Sequence, residues 1–323
     1  MRTYVLKRAL TIIPMLLGLS FILYAIVALA PGDPLDRIYM ENPNITFEEV
    51  QQLRQYYRLD DPIPVRYWAW FTSIVVDGNW GLSRAYNVPV NQILGPRIGN
   101  TVQLTVVAIL VSVFVAIPVG IISAVKQYSL FDYTVTFLAF VGRSMPRFWF
   151  AMMAIMLFSV MLGWTPVSGM NRVGVNLQGW ALIGDRLRHM ILPVITLSLT
   201  QIAGWSRYTR TGLLEVLHSD YIRTARAKGL GERVVLFKHA LRNSLLPLIT
   251  LIALSLSGLV GGSVLTETIF SWPGVGRALF DALLNSDFNL ALIALLLLSS
   301  ITLVANLLAD LLYAVVDPRV TFD

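Results

Sequence analysis

The 323-residue chain contains no cysteine, only three histidines, and charge on just 14% of its positions. Without thiols, a disulfide scaffold and thiol-ligated zinc or iron–sulfur sites are excluded. His189, His218 and His239 are scattered through the chain, which argues against a histidine-based metal centre. No G-x-x-x-x-G-K-[ST] motif is present, so nucleotide phosphates are not cradled in that way. Gly274-Val275-Gly276 lacks the third glycine and the preceding strand of a dinucleotide site. Neither H-E-x-x-H nor G-x-S-x-G occurs. An enzyme is not expected, and no cofactor or metal is expected in this chain.

What the sequence has in excess is apolar residues, 56% of the total, with a mean hydropathy of +0.66. They come in long blocks, which points to an all-α polytopic membrane protein. A spanning helix needs about 20 mainly apolar residues. Six segments fit: Ala9 to Ala30, Thr101 to Val125, Tyr133 to Leu162, Ile191 to Trp205, Leu245 to Thr266, and Phe288 to Val316. The fourth is short and is expected to continue through Ser206 and Arg207. Arg2, Lys7, Arg8 and Ala28-Leu29-Ala30 imitate a signal peptide, but the apolar run is too long and Pro31 follows the apparent cleavage point. An uncleaved first span is expected.

Orientation follows from lysine and arginine. With the N-terminus inside, the inner segments carry 15 basic and six acidic residues, the outer ones 10 basic and twelve acidic. Both termini are expected in the cytoplasm. The net charge of +6 therefore reads as a membrane-orientation signal, not a nucleic-acid footprint. The chain divides into residues 1–30 with the first span, an extracytoplasmic subdomain at 31–100, and a five-helix core at 101–323 with a cytoplasmic loop at 206–243. In the outer subdomain, Thr46 and Glu49 have capping-box spacing, followed by an apolar face at Val50, Leu53 and Tyr57. Tyr67, Trp68, Trp70 and Phe71 suit either the outer membrane surface or the core of a small outer subdomain.

The loop from Ser206 to Asn243 is amphipathic and basic, with eight lysines and arginines against Glu215, Asp220 and Glu232. Asp220 can cap a helix starting near Tyr221, and Gly229 then Gly231 can stop it. Val234 to Ala240 can form a second helix. Pattern alone leaves a solvated basic loop open as the plainer reading.

The run Tyr221-Ile222-Arg223-Thr224-Ala225-Arg226-Ala227-Lys228-Gly229-Leu230, with His239-Ala240-Leu241-Arg242-Asn243-Ser244-Leu245-Leu246-Pro247, resembles the coupling loop of an ABC importer permease. The version is similar to the dipeptide, oligopeptide and nickel-type permeases, in which Arg223-Thr224-Ala225 replaces the general Glu-Ala-Ala. The resemblance extends along the chain through Pro31-Gly32-Asp33-Pro34, Trp80-Gly81-Leu82-Ser83, Arg97 with Asn100-Thr101, Ser144-Met145-Pro146, and Glu267 to Arg277. It implies a type I importer permease fold in a bacterial or archaeal cytoplasmic membrane. It also implies a second homologous permease subunit, two ATPase subunits carrying ATP and Mg, and an extracytoplasmic solute-binding protein. Tyr221, Arg223, Thr224, Ala225, Arg226, Ala227, Lys228 and Gly229 would then couple to an ATPase. Peptides are the leading solute class, beside nickel chelates and oligosaccharides. A proton-coupled secondary transporter or channel is the rival, and it predicts repeats and several intramembrane ionisable groups.

Within the spans, Gly258 and Gly262 stand in G-x-x-x-G register with Gly261 beside them, suited to permease packing or to a pathway lining. Glu267, Trp272, Pro273 and Gly274 form a turn for which the family context implies a re-entrant plug, and a simple capped turn is the alternative. Asn306, Asp310, Tyr313 and Asp317 share a helix face, an expected polar clasp in the inner half of the last span. Pro146 is expected to kink the third span. Counted along a straight helix from Leu162, Arg147 lies about 22 Å below the outer end. With a core of about 30 Å it would sit about 7 Å inside the inner boundary. There it can snorkel to the cytoplasm, or it can face the pathway and attract a solute carboxylate.

Overall fold

The computed structural model describes residues 2–29, 46, 48–49, 51, 54 and 58–316. The architecture is helical throughout, and among the described residues β-structure is confined to one antiparallel bridge between Leu82 and Pro89. Among the described residues, three helices are each long and apolar enough to cross a bilayer, over Leu10–Ala28, Val90–Val125 and Phe288–Leu311. Two further segments reach that length only as bent pairs, Leu130–Ser144 with Arg147–Met161 and Glu232–Ser244 with Pro247–Ser255.

Helix α1 (Arg2–Ala28) exposes Leu10, Ile13, Ile22 and Ile26, as a lipid-facing helix must. It packs against α2 (Ile63–Val75), where Pro64 stands in the first turn and its missing N–H costs nothing. The Tyr67 hydroxyl pairs with Ser20 at 2.8 Å, and its ring meets Phe21 and Tyr24 edge-on at 5.1 and 5.8 Å. Trp70 and Ile74 reach onward into the main core, while Trp68 on the other face is exposed. The aromatic run therefore makes an amphipathic helix pinned to the first span. Ahead of it, the Thr46 and Glu49 box is formed: the Thr46 N–H donates to Glu49 Oε2 at 2.8 Å and the Glu49 N–H to Thr46 Oγ1 at 3.3 Å. The Thr46 N–H and, after it, the Thr46 hydroxyl, which donates to Oε2 at 2.9 Å, hold the exposed Glu49 carboxyl below its ordinary pKa. Pro31 to Pro34, Val50, Leu53, Tyr57 and Asp317 lie outside the described residues.

The centre of the molecule is the pair α3 (Val90–Val125) and α6 (Gly179–Leu217). Both outrun their expected apolar blocks, starting at Val90 instead of Thr101 and at Gly179 instead of Ile191. At 39 residues, α6 is about 58 Å long, one continuous rod that ends at the start of the basic loop. The two helices approach closely where Gly120 faces Ser206 and Thr209. A β-carbon at 120 would stand 2.6 Å from the Ser206 carbonyl oxygen.

The third expected span is not one kinked helix. It breaks into α4 (Leu130–Ser144) and α5 (Arg147–Met161), which meet at 108°. Met145 takes an extended conformation with ψ of 133°, as a residue before proline prefers, and Pro146 is extended too, with ψ of 131°. The helix therefore stops and restarts instead of bending. Beyond α5 the chain reaches α6, the coupling loop, α9 (Leu246–Ile269), α10 (Val275–Leu284) and α11 (Phe288–Val316). The last starts at Phe288, as expected, and is helical through the last described residue, Val316. Val90 and Leu94 of α3, Val275 and Ala282 of α10, and Leu290 and Ala294 of α11 are fully buried together and form the largest apolar core.

Candidate functional site

Two built regions stand at opposite ends of the α3–α6 pair. The first is the basic loop at 206–243, expected from the sequence to couple to an ATPase. Helix α7 (Asp220–Ala227) begins after Ser219, so the Ncap is Ser219 and not Asp220 as the sequence suggested. Asp220 occupies the first turn, where a negative charge suits the helix dipole, and lies 3.4 Å from Arg223 Nη1. Ile222 and Ala225 face inward and are buried with Ala124 of α3, Leu213 of α6, Val235 and Ala240. Tyr221, Arg223, Thr224, Arg226, Ala227, Lys228 and Gly229 are exposed. Of the expected coupling residues, Ala225 alone turns inward, as a brace.

Gly229 ends α7 with φ of +76°, and a β-carbon there would meet nothing within 4 Å. Its requirement is conformational, not spatial. Arg226 spans the turn with a two-point contact to Glu232, at 2.9 and 3.3 Å. The returning segment α8 (Glu232–Ser244) is longer than the expected Val234 to Ala240 and is π-helical over Val235–Ala240. Its Asn243 donates to the Tyr221 hydroxyl at 3.0 Å. The result is a rigid basic ridge seated on the ends of α3 and α6.

Behind that ridge lies a clamp that the sequence reading missed. Arg210 of α6 grips Asp132 of α4 at two points, Nε to Oδ1 at 2.6 Å and Nη2 to Oδ2 at 2.7 Å. Ser123 of α3 and the Tyr128 N–H also donate to the same carboxylate. A signal was available, because Ser129 and Asp132 have capping-box spacing and the Asp132 N–H does donate to Ser129 Oγ at 3.3 Å.

The second region is the turn after α9. Glu267 is 0% exposed, accepting from the Thr101 hydroxyl at 2.8 Å and the Arg277 N–H at 3.1 Å. Trp272 is equally buried, against Leu104, Ala108, Met190, Val194 and Leu197. A β-carbon at Gly274 would strike the Glu267 carboxylate, and one at Gly276 would come within 2.7 Å of the Val264 backbone. Thr101 stands 11 residues into α3, so the turn is folded about 16 Å below the end of that helix, inside the helical body. The sequence reading named Glu267, Trp272, Pro273 and Gly274 here but not the Asn100–Thr101 seat that receives them.

The remaining span residues separate. Gly258 and Gly261 are exposed on α9, and a β-carbon at either would meet nothing within 4 Å among the described residues. Gly262 instead lies under the Arg147 guanidinium. Asn306 and Asp310 are half-buried on one face of α11. Arg147 is the first residue of α5, immediately past the 108° elbow, so the count back from Leu162 runs along α5 itself.

The sequence and fold have known counterparts. The family model described as "Binding-protein-dependent transport system inner membrane component" matches residues 116–322, and its N-terminal companion matches 1–105. The oligopeptide transport system permease protein AppB of Bacillus subtilis (strain 168) is 40% identical over 323 residues, covering all of both chains. The dipeptide transport system permease protein DppB of Escherichia coli (strain K12) is 42% identical over 337 residues, covering 99% of each. Among solved structures, a chain from inward-facing conformations of the MetNI methionine ABC transporter has a TM-score of 0.56 at 18% identity. It matches 70% of this chain and 97% of its own length, and so shows the fold. The chain belongs to the family of binding-protein-dependent transport system inner membrane components.

Proposed function

We propose that this chain is the peptide-translocating permease subunit of an ATP-driven importer, with six spans and both termini in the cytoplasm. A second, homologous permease completes the channel, and a solute-binding protein delivers peptide from outside. Two ATPase subunits bind ATP and Mg below. The subunit itself is not an enzyme. Full-length similarity to proteins named as oligopeptide and dipeptide permeases supports the solute class.

The observation that carries the reading is α7: a short basic helix, exposed on one face and braced by Ile222 and Ala225 on the other. Such a ridge receives force from a docked ATPase and passes it to α3 and α6 as rigid bodies. ATP-bound closure would favour one permease state and hydrolysis would release it.

Because the chain has no cysteine, single-cysteine variants give an unambiguous test. Cysteine at Thr224 should cross-link to the ATPase in the assembled complex, and cysteine at the exposed outer residue Val173 should not. Peptide uptake in proteoliposomes should need the ATPases and ATP. Uptake driven by a proton gradient without ATP, or cross-linking from Val173 instead of Thr224, would overturn the reading.

A further inference from the structure

Arg147 opens α5 just past the elbow, and its guanidinium lies across Gly262 of α9. A β-carbon at 262 would collide with Nη1, so only glycine leaves the guanidinium in this seat. Gly262 stands 16 residues beyond Leu246 and seven before Ile269. That is about 24 Å from the end of α9 that joins the coupling loop, and about 10 Å from the other. Arg147 is thus held part-way along an apolar helix, far from the end of α9 that joins the basic loop.

Among the described residues, the Arg147 guanidinium has no hydrogen bond and no ion pair. Arg210, also half-buried, is gripped by Asp132. The side chain also turns away from the apolar cavity of about 730 Å³ inside the elbow, which Phe137, Phe140, Phe148 and Trp149 line. It points instead to α9, on which Gly258 and Gly261 are left uncovered by the described residues. An ionised residue at such depth faces a water-filled route or a partner charge, not lipid. A guanidinium there is a planar, permanently charged fork matched to a carboxylate.

We propose that Arg147, seated on Gly262, binds the carboxylate of the transported solute within the membrane, the terminal carboxylate in the case of a peptide. The inference rests on the importer reading above and adds a solute site to it. A carboxylate passing this level would gain a two-point contact, and Gly262 keeps the fork in position by leaving it room.

The test uses the complete complex in proteoliposomes, with saturating binding protein and one tripeptide as its free acid and as its C-terminal amide. Absence of ATP-dependent uptake by the unmodified complex would remove the importer reading, and this site with it. With uptake established, Arg147→Gln should lower free-acid transport about tenfold and amide transport less than about twofold, while Arg147→Lys recovers part of the loss. Gly262→Val should reproduce the Arg147→Gln pattern. Displacement of labelled free tripeptide from the ATP-trapped complex reads the same preference without dependence on delivery. There the unmodified complex should favour acid over amide about tenfold, and the Arg147→Gln complex should not. Equal effects on acid and amide, as an ion pair with the second permease would give, or no effect on either, overturn the proposal.

Discussion

Trp272 and Asn100 hold each other in both directions. The indole Nε1–H donates to the Asn100 carbonyl at 3.0 Å, and the Asn100 side-chain amide donates to the carbonyl of Pro273, next to Trp272, at 2.8 Å. The pair fastens the turn after α9 to the middle of α3. Replacing Trp272 by Phe removes the indole donor and should cost about 0.5–1.5 kcal/mol, the net worth of one hydrogen bond, since the Asn100 carbonyl keeps its partner within α3. Trp272→Ala adds a cavity and should cost about 3–5 kcal/mol. Thermal unfolding of the purified protein in detergent measures both, and two harmless variants would mean the turn is not seated as described.

Glu267 makes a sharper demand. Its carboxylate joins the Thr101 hydroxyl to the start of α10, while Thr101 Oγ1 in turn accepts from the Val275 N–H at 2.9 Å. In Glu267→Gln the amide oxygen can still accept from Arg277 N–H, and the amide nitrogen can donate to Thr101 if its hydroxyl rotates. The expected loss is about 1 kcal/mol. Glu267→Ala leaves those donors orphaned and opens space, so several times that loss is expected, roughly 3 kcal/mol or more. The ordering Gln above Ala in melting temperature is the outcome to check. Reversal would show that the ionised carboxylate is itself a burden at this site.

Much of this organisation was legible before any coordinates. The start of the last span at Phe288 and the stop at Gly229 follow from apolar block length and from the left-handed conformation glycine supplies. The starts of α3 and α6 were not legible, because an apolar count ends where lipid contact ends, while helix propagation continues through polar positions such as Asn91, Gln92 and Arg186. The elbow at Met145-Pro146 was read too mildly: proline alone signals a kink, and the full break needs both residues extended. Contacts such as Asp132 with Arg210, 78 residues apart, depend on how α4 lies across α6. No local pattern encodes that crossing.

The Asp132–Arg210 clamp yields a coupling measurement. The Asp132 side chain is 3% exposed and that of Arg210 22%, so either single truncation leaves its partner charge with little solvation. Asp132→Ala and Arg210→Ala should each destabilise by on the order of 3 kcal/mol. The double variant should cost clearly less than the sum of the two, since it leaves no orphaned charge. Chemical denaturation of the four proteins gives the cycle, and strict additivity would show that the two groups do not interact.

The coupling ridge makes the last prediction. Gly229 has φ of +76°, yet a β-carbon there would touch nothing, so substitutions report backbone preference with no steric confusion. Any ordinary residue pays about 1–2 kcal/mol in that left-handed region, with β-branched residues worst and asparagine best tolerated. Uptake coupled to ATP hydrolysis should therefore fall in the order Gly, Asn, Ala, Val. The Gly229→Val protein should still insert and assemble, because Ile222 and Ala225 keep α7 anchored to Leu213 and Val235. What it should lose is the fixed relation of α7 to the Arg226–Glu232 bridge and to α8. ATPase activity should then continue without stimulated uptake. Parallel assays of uptake and hydrolysis, with membrane insertion scored separately, test the order. If Gly229→Val retains both uptake and stimulated hydrolysis, α7 is not the element through which the ATPase acts.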